Sequence, residues 1–147
     1  MYRKILVAYD GSPESRLAID ECIRLAPGPE TAIHLTGVVH DPSLYVLAGE
    51  YVPEIALGDD RARVHADLEE AAGKFAGHGL AVTQHVVVGE PVTVIAALVA
   101  ELGIDLLILG HPRNRPFVLR WWRGSTDALL IERTRCSILI AAEPPAV

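Results

Sequence analysis

Two cysteines in 147 residues, Cys22 and Cys136, exclude the disulfide framework of a small secreted domain. They form no CxxC pair, so neither a redox motif nor half a zinc site is present, and both are expected to be small buried side chains. Aromatic residues make up only 5% of the chain, which leaves the core to aliphatic side chains. No apolar stretch is long enough to cross a bilayer, and the run in "MYRKILVAYDG" is too short for a signal peptide with a cleavage site. The expected address is the cytoplasm, with no membrane partner. Positive charge is scarce: the net charge is −6, which argues against a general nucleic-acid binder. No GxxxxGK[ST] occurs, nor a GxGxxG after a strand. No lysine follows Lys74 and the third strand ends at Gly89-Glu90, so a phospho-acceptor site of the response-regulator kind lacks its parts. The six histidines, His34, His40, His65, His78, His85 and His111, fall on different elements without zinc spacing and are expected to be structural or at the surface.

Half of the residues are hydrophobic, enough for one domain over residues 1–147 with a sizeable core. "KILVAYD" is a short continuous apolar run of the kind that makes a strand buried on both faces. Ser12 then suits a helix N-cap and Pro13 the first turn, with Leu17, Ala18, Cys22, Leu25 and Ala26 at helical spacing up to the "PGP" stop at Pro27. "TAIHLTGVVHD" predicts a second strand. A connection of about seventeen residues, "PSLYVLAGEYVPEIALG", precedes a helix in "DDRARVHADLEEAAGKFAGHG", with Asp59 and Asp60 near its positive end. "AVTQHVVVG" and "IDLLILG" predict the third and fourth strands. Between them "EPVTVIAALVAELG" predicts a helix, largely buried because it carries almost no charge, with Gly103 as its stop. A helix through "DALLIERT" and a strand in "CSILIAA" close the chain. Strands alternating with helices predict an α/β fold: a five-stranded parallel sheet covered on both faces, in the order 3-2-1-4-5 if the usual doubly wound topology holds.

In such a sheet, ligands sit beyond the carboxyl ends of the strands where the strand order reverses. Asp10 ends the first strand and Gly110 the fourth, so both flank that crevice. An acid there can accept hydrogen bonds from ribose hydroxyls; it can equally cap the "DGSPES" turn, and the two roles are compatible. Between Gly110 and Thr126 lies "GHPRNRPFVLRWWRGST". Its four arginines, Arg113, Arg115, Arg120 and Arg123, stand without an acid, while the rest of the chain sets nine Lys and Arg against nineteen Asp and Glu. The loop and the helix opening at Ser125 offer backbone N–H groups and a positive dipole end to phosphates. The rival use of this basic loop is as a surface for a partner protein.

"KILVAYDGSPES", "DLLILGH", the loop and "GST" before the last helix, in this order and at these spacings, resemble the universal stress protein family over the whole chain. The resemblance implies a Rossmann-like five-stranded sheet, a homodimer, and in many members bound ATP without robust enzymatic activity. By position, Asp10 matches the acid near the ribose, Ala8 lines the base pocket, and Val39 matches a residue whose backbone meets adenine. Gly110, Arg113 or Asn114, Gly124, Ser125 and Thr126 match the phosphate loop. The family's nucleotide-binding branch spaces its glycines as Gly, two residues, Gly, nine residues, Gly-Ser or Gly-Thr. Here Arg113 stands at the middle glycine, or the loop is one residue longer and Asn114 stands there. Pro112 also removes an N–H. Arg113 and Arg115 could replace the lost donors by clamping phosphate oxygens.

The implied ligand is ATP or another adenine nucleotide, with Mg²⁺ as the accompanying cation. Another branch lacks the glycine pattern, holds no nucleotide, and has a fourth strand that also runs into Gly-His; under that reading the loop 111–123 is a protein contact patch. Trp121 and Trp122 match no nucleotide contact: packing is the simpler expectation, a partner hot spot the other. Slow ATP hydrolysis or phosphoryl transfer ranks last, because no dedicated base or metal cage is visible. The last strand, uninterrupted by Pro or charge from Ser137 to Ala142, is an edge liability that pairing with a second copy would cover.

Overall fold

A computed structural model describes residues 1–39, 54–110 and 126–142, with the side chains of 54–59 and 126–128 outside that description. In chain order the elements are β1 (Lys4–Ala8), α1 (Pro13–Arg24), β2 (Ala32–Val39), α2 (Glu54–Ala76), β3 (Val82–Val88), α3 (Pro91–Leu102), β4 (Leu106–Gly110), α4 (Thr126–Arg133) and β5 (Ser137–Ala141). All five strands join one sheet in the order β3-β2-β1-β4-β5, and every pairing is parallel. The chain thus builds the expected doubly wound sheet, with the order reversing between β1 and β4.

Period-two alternation sorts the central strands between two cores. Ile5, Val7 and Tyr9 of β1 and its extension pack with Ala18, Ile19 and Cys22 of α1 and Leu68, Ala71 and Phe75 of α2. Leu6 and Ala8 face the other way, onto Val92, Val94, Ile95, Leu98 and Val99 of α3 and Leu130 of α4. Cys22 lies in the first core and is fully buried, and its thiol is pushed up to about 12 by that burial, which makes it an inert packing residue. Each aliphatic side chain buried this way contributes roughly 1.5–3 kcal/mol, and α3, whose one charged residue is Glu101 in its last turn, is held mainly by that burial.

Those caps are local chemistry. Ser12 adopts extended backbone and its side chain accepts from the Ser15 N–H, with Pro13 next in the first turn. Glu90 does the same for α3, accepting from the Val92 and Thr93 amides, and Gly103 ends that helix in the left-handed region at φ 67°. Burial alone would raise the Glu90 carboxyl; the Thr93 and Val92 hydrogen bonds and nearby Arg133 outweigh it and hold the carboxyl below its usual value.

Two elements differ from expectation. Helix α2 begins at Glu54, so "EIALG", read from sequence as loop, is already helical, and Gly58 lies inside it. Helix α1 ends at Arg24, and Ala26 rather than a glycine takes the left-handed turn, at φ 50°. Pro27 keeps the helix from continuing, because a residue before proline is disfavoured in the right-handed helical region. Ala26→Gly is therefore expected to stabilise the protein by about 0.5–1 kcal/mol, measured as a rise in thermal midpoint.

On the α3 side of β2 and β3, His34 Nδ1 and His85 Nε2 lie 2.9 Å apart. Burial disfavours the charged form of both rings, and His34 is lowered further by its neighbours His85 and Lys4. The unfolded chain, with histidines near 6.5, binds protons that the folded pair refuses. Stability held above about pH 6.5 is expected to fall as pH drops below it, and His34→Gln/His85→Gln should flatten that slope in urea titrations at stepped pH.

Candidate functional site

Among the described residues three polar or charged side chains are buried: Asp10, Ser15 and Thr36. Buried polar groups must be hydrogen-bonded, and the first two are bonded to each other's surroundings at the carboxyl end of β1. The Ser12 N–H donates to Asp10 Oδ1 at 2.9 Å, and the Asp10 N–H donates to Ser15 Oγ at 3.3 Å. Ser15 Oγ donates to the Ser12 carbonyl at 3.0 Å and accepts from Ser12 Oγ at 3.2 Å. Ser12 Oγ in turn accepts the Ser15 N–H at 3.2 Å. A serine hydroxyl has one donor and two acceptor positions, and Ser15 uses all three. Gly11, at φ 78°, gives the left-handed step that lets the turn close.

β4 arrives at the same place. A Cβ built on Gly110 would lie 2.1 Å from the Glu14 carbonyl oxygen, 2.3 Å from its carbon and 2.7 Å from the Ser15 nitrogen. The end of β4 therefore sits directly on the backbone of the first turn of α1, and only a glycine fits. Asp10 and Gly110, far apart in sequence, are joined through Ser15. Sequence reasoning gave Ser15 no role. The S-x-x-S spacing signals a cap, but its burial comes from β4. Ser15→Ala would remove the hydroxyl's bonds to the Asp10 N–H, the Ser12 hydroxyl and the Ser12 carbonyl, and is expected to cost about 1–3 kcal/mol in chemical denaturation.

The other predicted positions divide. Ala8 is fully buried in the α3/α4-side core and pairs with Thr36 across the β1–β2 ladder. The Tyr9 N–H extends that ladder to the Thr36 carbonyl at 3.0 Å. Val39 is buried at the end of β2, and its carbonyl accepts the Gly89 N–H at 2.9 Å. Thr126 opens α4, with its side chain outside the described residues. Arg113, Asn114, Gly124 and Ser125 lie outside the described residues, as do Arg115, Trp121 and Trp122.

Tyr9 is buried; burial raises its phenol, and the nearby Arg16 guanidinium opposes the rise. Arg16 also reaches Glu70 of α2 at 3.8 Å. Among the described residues no cluster of three or more His, Cys, Asp or Glu could hold a metal ion, and no helix is long and apolar enough to cross a membrane. The described part of the site is thus a recessed carboxylate, a ring of hydroxyls and amides, and a close strand–helix approach. Chemically it can accept hydrogen bonds from a diol and fix its orientation.

Comparison with known proteins bears on the family and the fold. Residues 1–142 match the model of the universal stress protein family. The chain is 29% identical over 149 residues to the universal stress protein YxiE of Bacillus subtilis, covering 95% of this chain and 99% of that one. A universal stress protein family protein from Arabidopsis thaliana, solved with AMP bound, superposes with a TM-score of 0.68 at 18% identity, covering 97% of this chain and 92% of that one. The universal stress protein from Archaeoglobus fulgidus, solved in complex with dAMP, gives 0.66 at 17% identity, covering 95% and 97%. At such identities the structural likeness speaks for the fold, while the family match spans nearly the whole sequence. The chain belongs to the universal stress protein family.

Proposed function

We propose that this protein is a regulatory module that binds an adenine nucleotide, ATP or a relative of it, across the carboxyl ends of β1 and β4. The observation that carries the reading is the buried Asp10 carboxylate at the strand-order reversal, tied through Ser15 to the turn on which Gly110 rests. Asp10 faces the ribose hydroxyls. Ala8 borders the base, with Val39 beyond it at the end of β2. The phosphates fall to Gly124, Ser125 and the opening of α4 at Thr126, where helix N–H groups are unsatisfied. Arg113 and Asn114 supply charge and a tolerant backbone in place of a glycine. Mg²⁺ would accompany a di- or triphosphate. Relatives solved with AMP and dAMP support an adenine ligand. The output is a population shift: nucleotide orders the loop 110–124 and changes a partner or dimer surface.

The test is calorimetry with ATP, with and without Mg²⁺, on the wild type and Gly124→Val. Saturable binding lost in the variant is the expected result. No binding at millimolar ATP would remove the nucleotide reading and leave the rival one, in which the Arg/Trp loop 111–123 is a contact patch for a protein partner. That rival draws on the replacement of the middle glycine by "PRN". An enzyme of slow ATP hydrolysis stands behind both, and phosphate release proportional to protein and lost in Ser125→Ala would be its signature.

The same proposal includes a homodimer. Among the described residues β5 pairs only with β4, so one side of Ser137–Ala142 is an edge there. Ile140 is 36% exposed there, and Leu129 and Ile131 on the preceding helix are 43% and 58% exposed. A second copy would satisfy the edge and cover these side chains. Light scattering that finds a monomer at all concentrations would exclude it.

A further inference from the structure

Of the five strands, β3 alone has no buried residue. Among the described residues it pairs with β2 alone, so it forms one edge of the sheet. On its α2 face, Val82 and Val86 pack against the core. On its α3 face, Val87 packs against the core that holds Val38, and the other tie to β2 is made by histidines. The register sets His34 opposite Thr83 and Thr36 opposite His85, so the two histidines are diagonal neighbours on that face. His34 Nδ1 and His85 Nε2 are 2.9 Å apart, an imidazole–imidazole hydrogen bond between strands. Thr36 Oγ1 donates to the His85 carbonyl at 3.2 Å at the same junction. The ladder then ends at the bond from the Gly89 N–H to the Val39 carbonyl.

We propose that the His34–His85 hydrogen bond is an acid-sensitive latch on β3, released when both rings are protonated, so that acid loosens this edge strand before the rest of the sheet. An N–H···N bond needs one donor and one acceptor. The neutral pair has both, and so does the pair with one added proton, as an imidazolium donating to an imidazole. The second added proton removes the last acceptor, and the bond becomes a repulsion between two cations. Nothing nearby offsets it. Lys4 of β1, whose Nζ is bonded to the Leu102 carbonyl, adds a further positive charge that acts on His34. Among the described residues neither ring is paired with a carboxylate. Glu101, the one acid of α3, and its cap Glu90 do not act on either ring. Burial also disfavours the charged rings. Both are half-buried, so they can swing out to water. β3 then loses its histidine tie to β2, the edge of β2 opens, and the Val39 carbonyl comes free of Gly89.

The experiment is amide hydrogen exchange of the full chain, read by NMR between about pH 7.5 and about pH 5 as protection factors, which remove the intrinsic pH dependence of exchange. The open strand binds protons that the closed pair refuses, so its population rises by up to about tenfold per pH unit for each such proton. Protection at the β3 amides and at Gly89 is expected to fall by about tenfold or more across that range, while the β4 amides keep theirs. The midpoint of that fall should coincide with the titration of the His34 and His85 ring protons, a readout that needs no variant. His34→Gln/His85→Gln should abolish the loss, and His65→Gln/His78→Gln should retain it. The proposal is overturned if β3 protection does not change with pH, or if it falls equally in the His34→Gln/His85→Gln protein. It is equally overturned if β4 loses protection in step with β3, the mark of global unfolding. None of these outcomes depends on whether the protein binds nucleotide.

Discussion

Gly110→Ala is expected to destabilise the protein by about 3 kcal/mol or more, the upper end of the range for overpacking substitutions. The reason lies in what the new methyl group meets. Its ideal position is within 2.3 Å of two backbone atoms of Glu14 and 2.7 Å from a third at Ser15. A flexible side chain could swing aside, but here the first turn of α1 must move. That turn cannot shift alone, because Ser15 Oγ holds the Asp10 N–H and the Ser12 carbonyl. Either β4 withdraws, opening the β1–β4 pairing, or α1 tilts off the core formed by Ala18, Ile19 and Cys22. At a urea slope of roughly 1–3 kcal/mol per molar, the midpoint should fall by about 1 M or more. Gly28→Ala is the control, since a Cβ there meets nothing within 4 Å and no positive φ is required; it should change stability by about 0.5 kcal/mol or less. A Gly110→Ala protein as stable as Gly28→Ala would show that the strand–helix contact is not as close as described.

Asp10→Asn should leave the fold nearly intact and weaken adenine-nucleotide binding by about 10–100-fold, whereas Asp10→Ala should impair both. Oδ1 of the native carboxylate accepts the Ser12 N–H, and an asparagine carbonyl can keep that bond. The amide then has no second acceptor oxygen for a ribose diol, and the charge that strengthens the bond is gone. Hydrogen bonds to a charged group contribute about 1.5–3 kcal/mol, and 1.4 kcal/mol is a factor of ten in affinity. Alanine removes the acceptor altogether and leaves a part-buried amide unpaired, at about 1–3 kcal/mol of stability. The pair of variants separates the turn-capping role of Asp10 from its ligand role. Equal nucleotide affinity in Asp10→Asn and wild type would remove the carboxylate from the ligand contacts.

The architecture was largely legible because its signals are local. Continuous aliphatic runs such as "LLILG" can be buried on both faces only inside a covered parallel sheet, and here every residue of β4 is buried. Ser12, Pro13, Glu90 and Gly103 stand where helices begin and end for reasons carried within a few residues. The start of α2 was less legible: Gly58 reads as a breaker, yet a single glycine costs a helix only about 1 kcal/mol. Asp10 and Gly110 could be placed at the crevice from the strand order alone. The closeness of Gly110 to Glu14 could not, because it depends on how deeply β4 seats against α1. Ser15 was overlooked for the same reason, its burial being a tertiary fact. The His34–His85 pair, 51 residues apart in sequence, comes together only through the β2–β3 register, which no spacing rule reveals.

The central claim is the location of the nucleotide, and a two-dimensional amide NMR titration of the wild type with AMP tests it most directly. The account expects saturable shifts, one ligand per chain, largest at the amides of Gly11, Ser12, Ser15 and Gly110. An unchanged spectrum at millimolar AMP, or shifts that leave those four amides untouched, would contradict it.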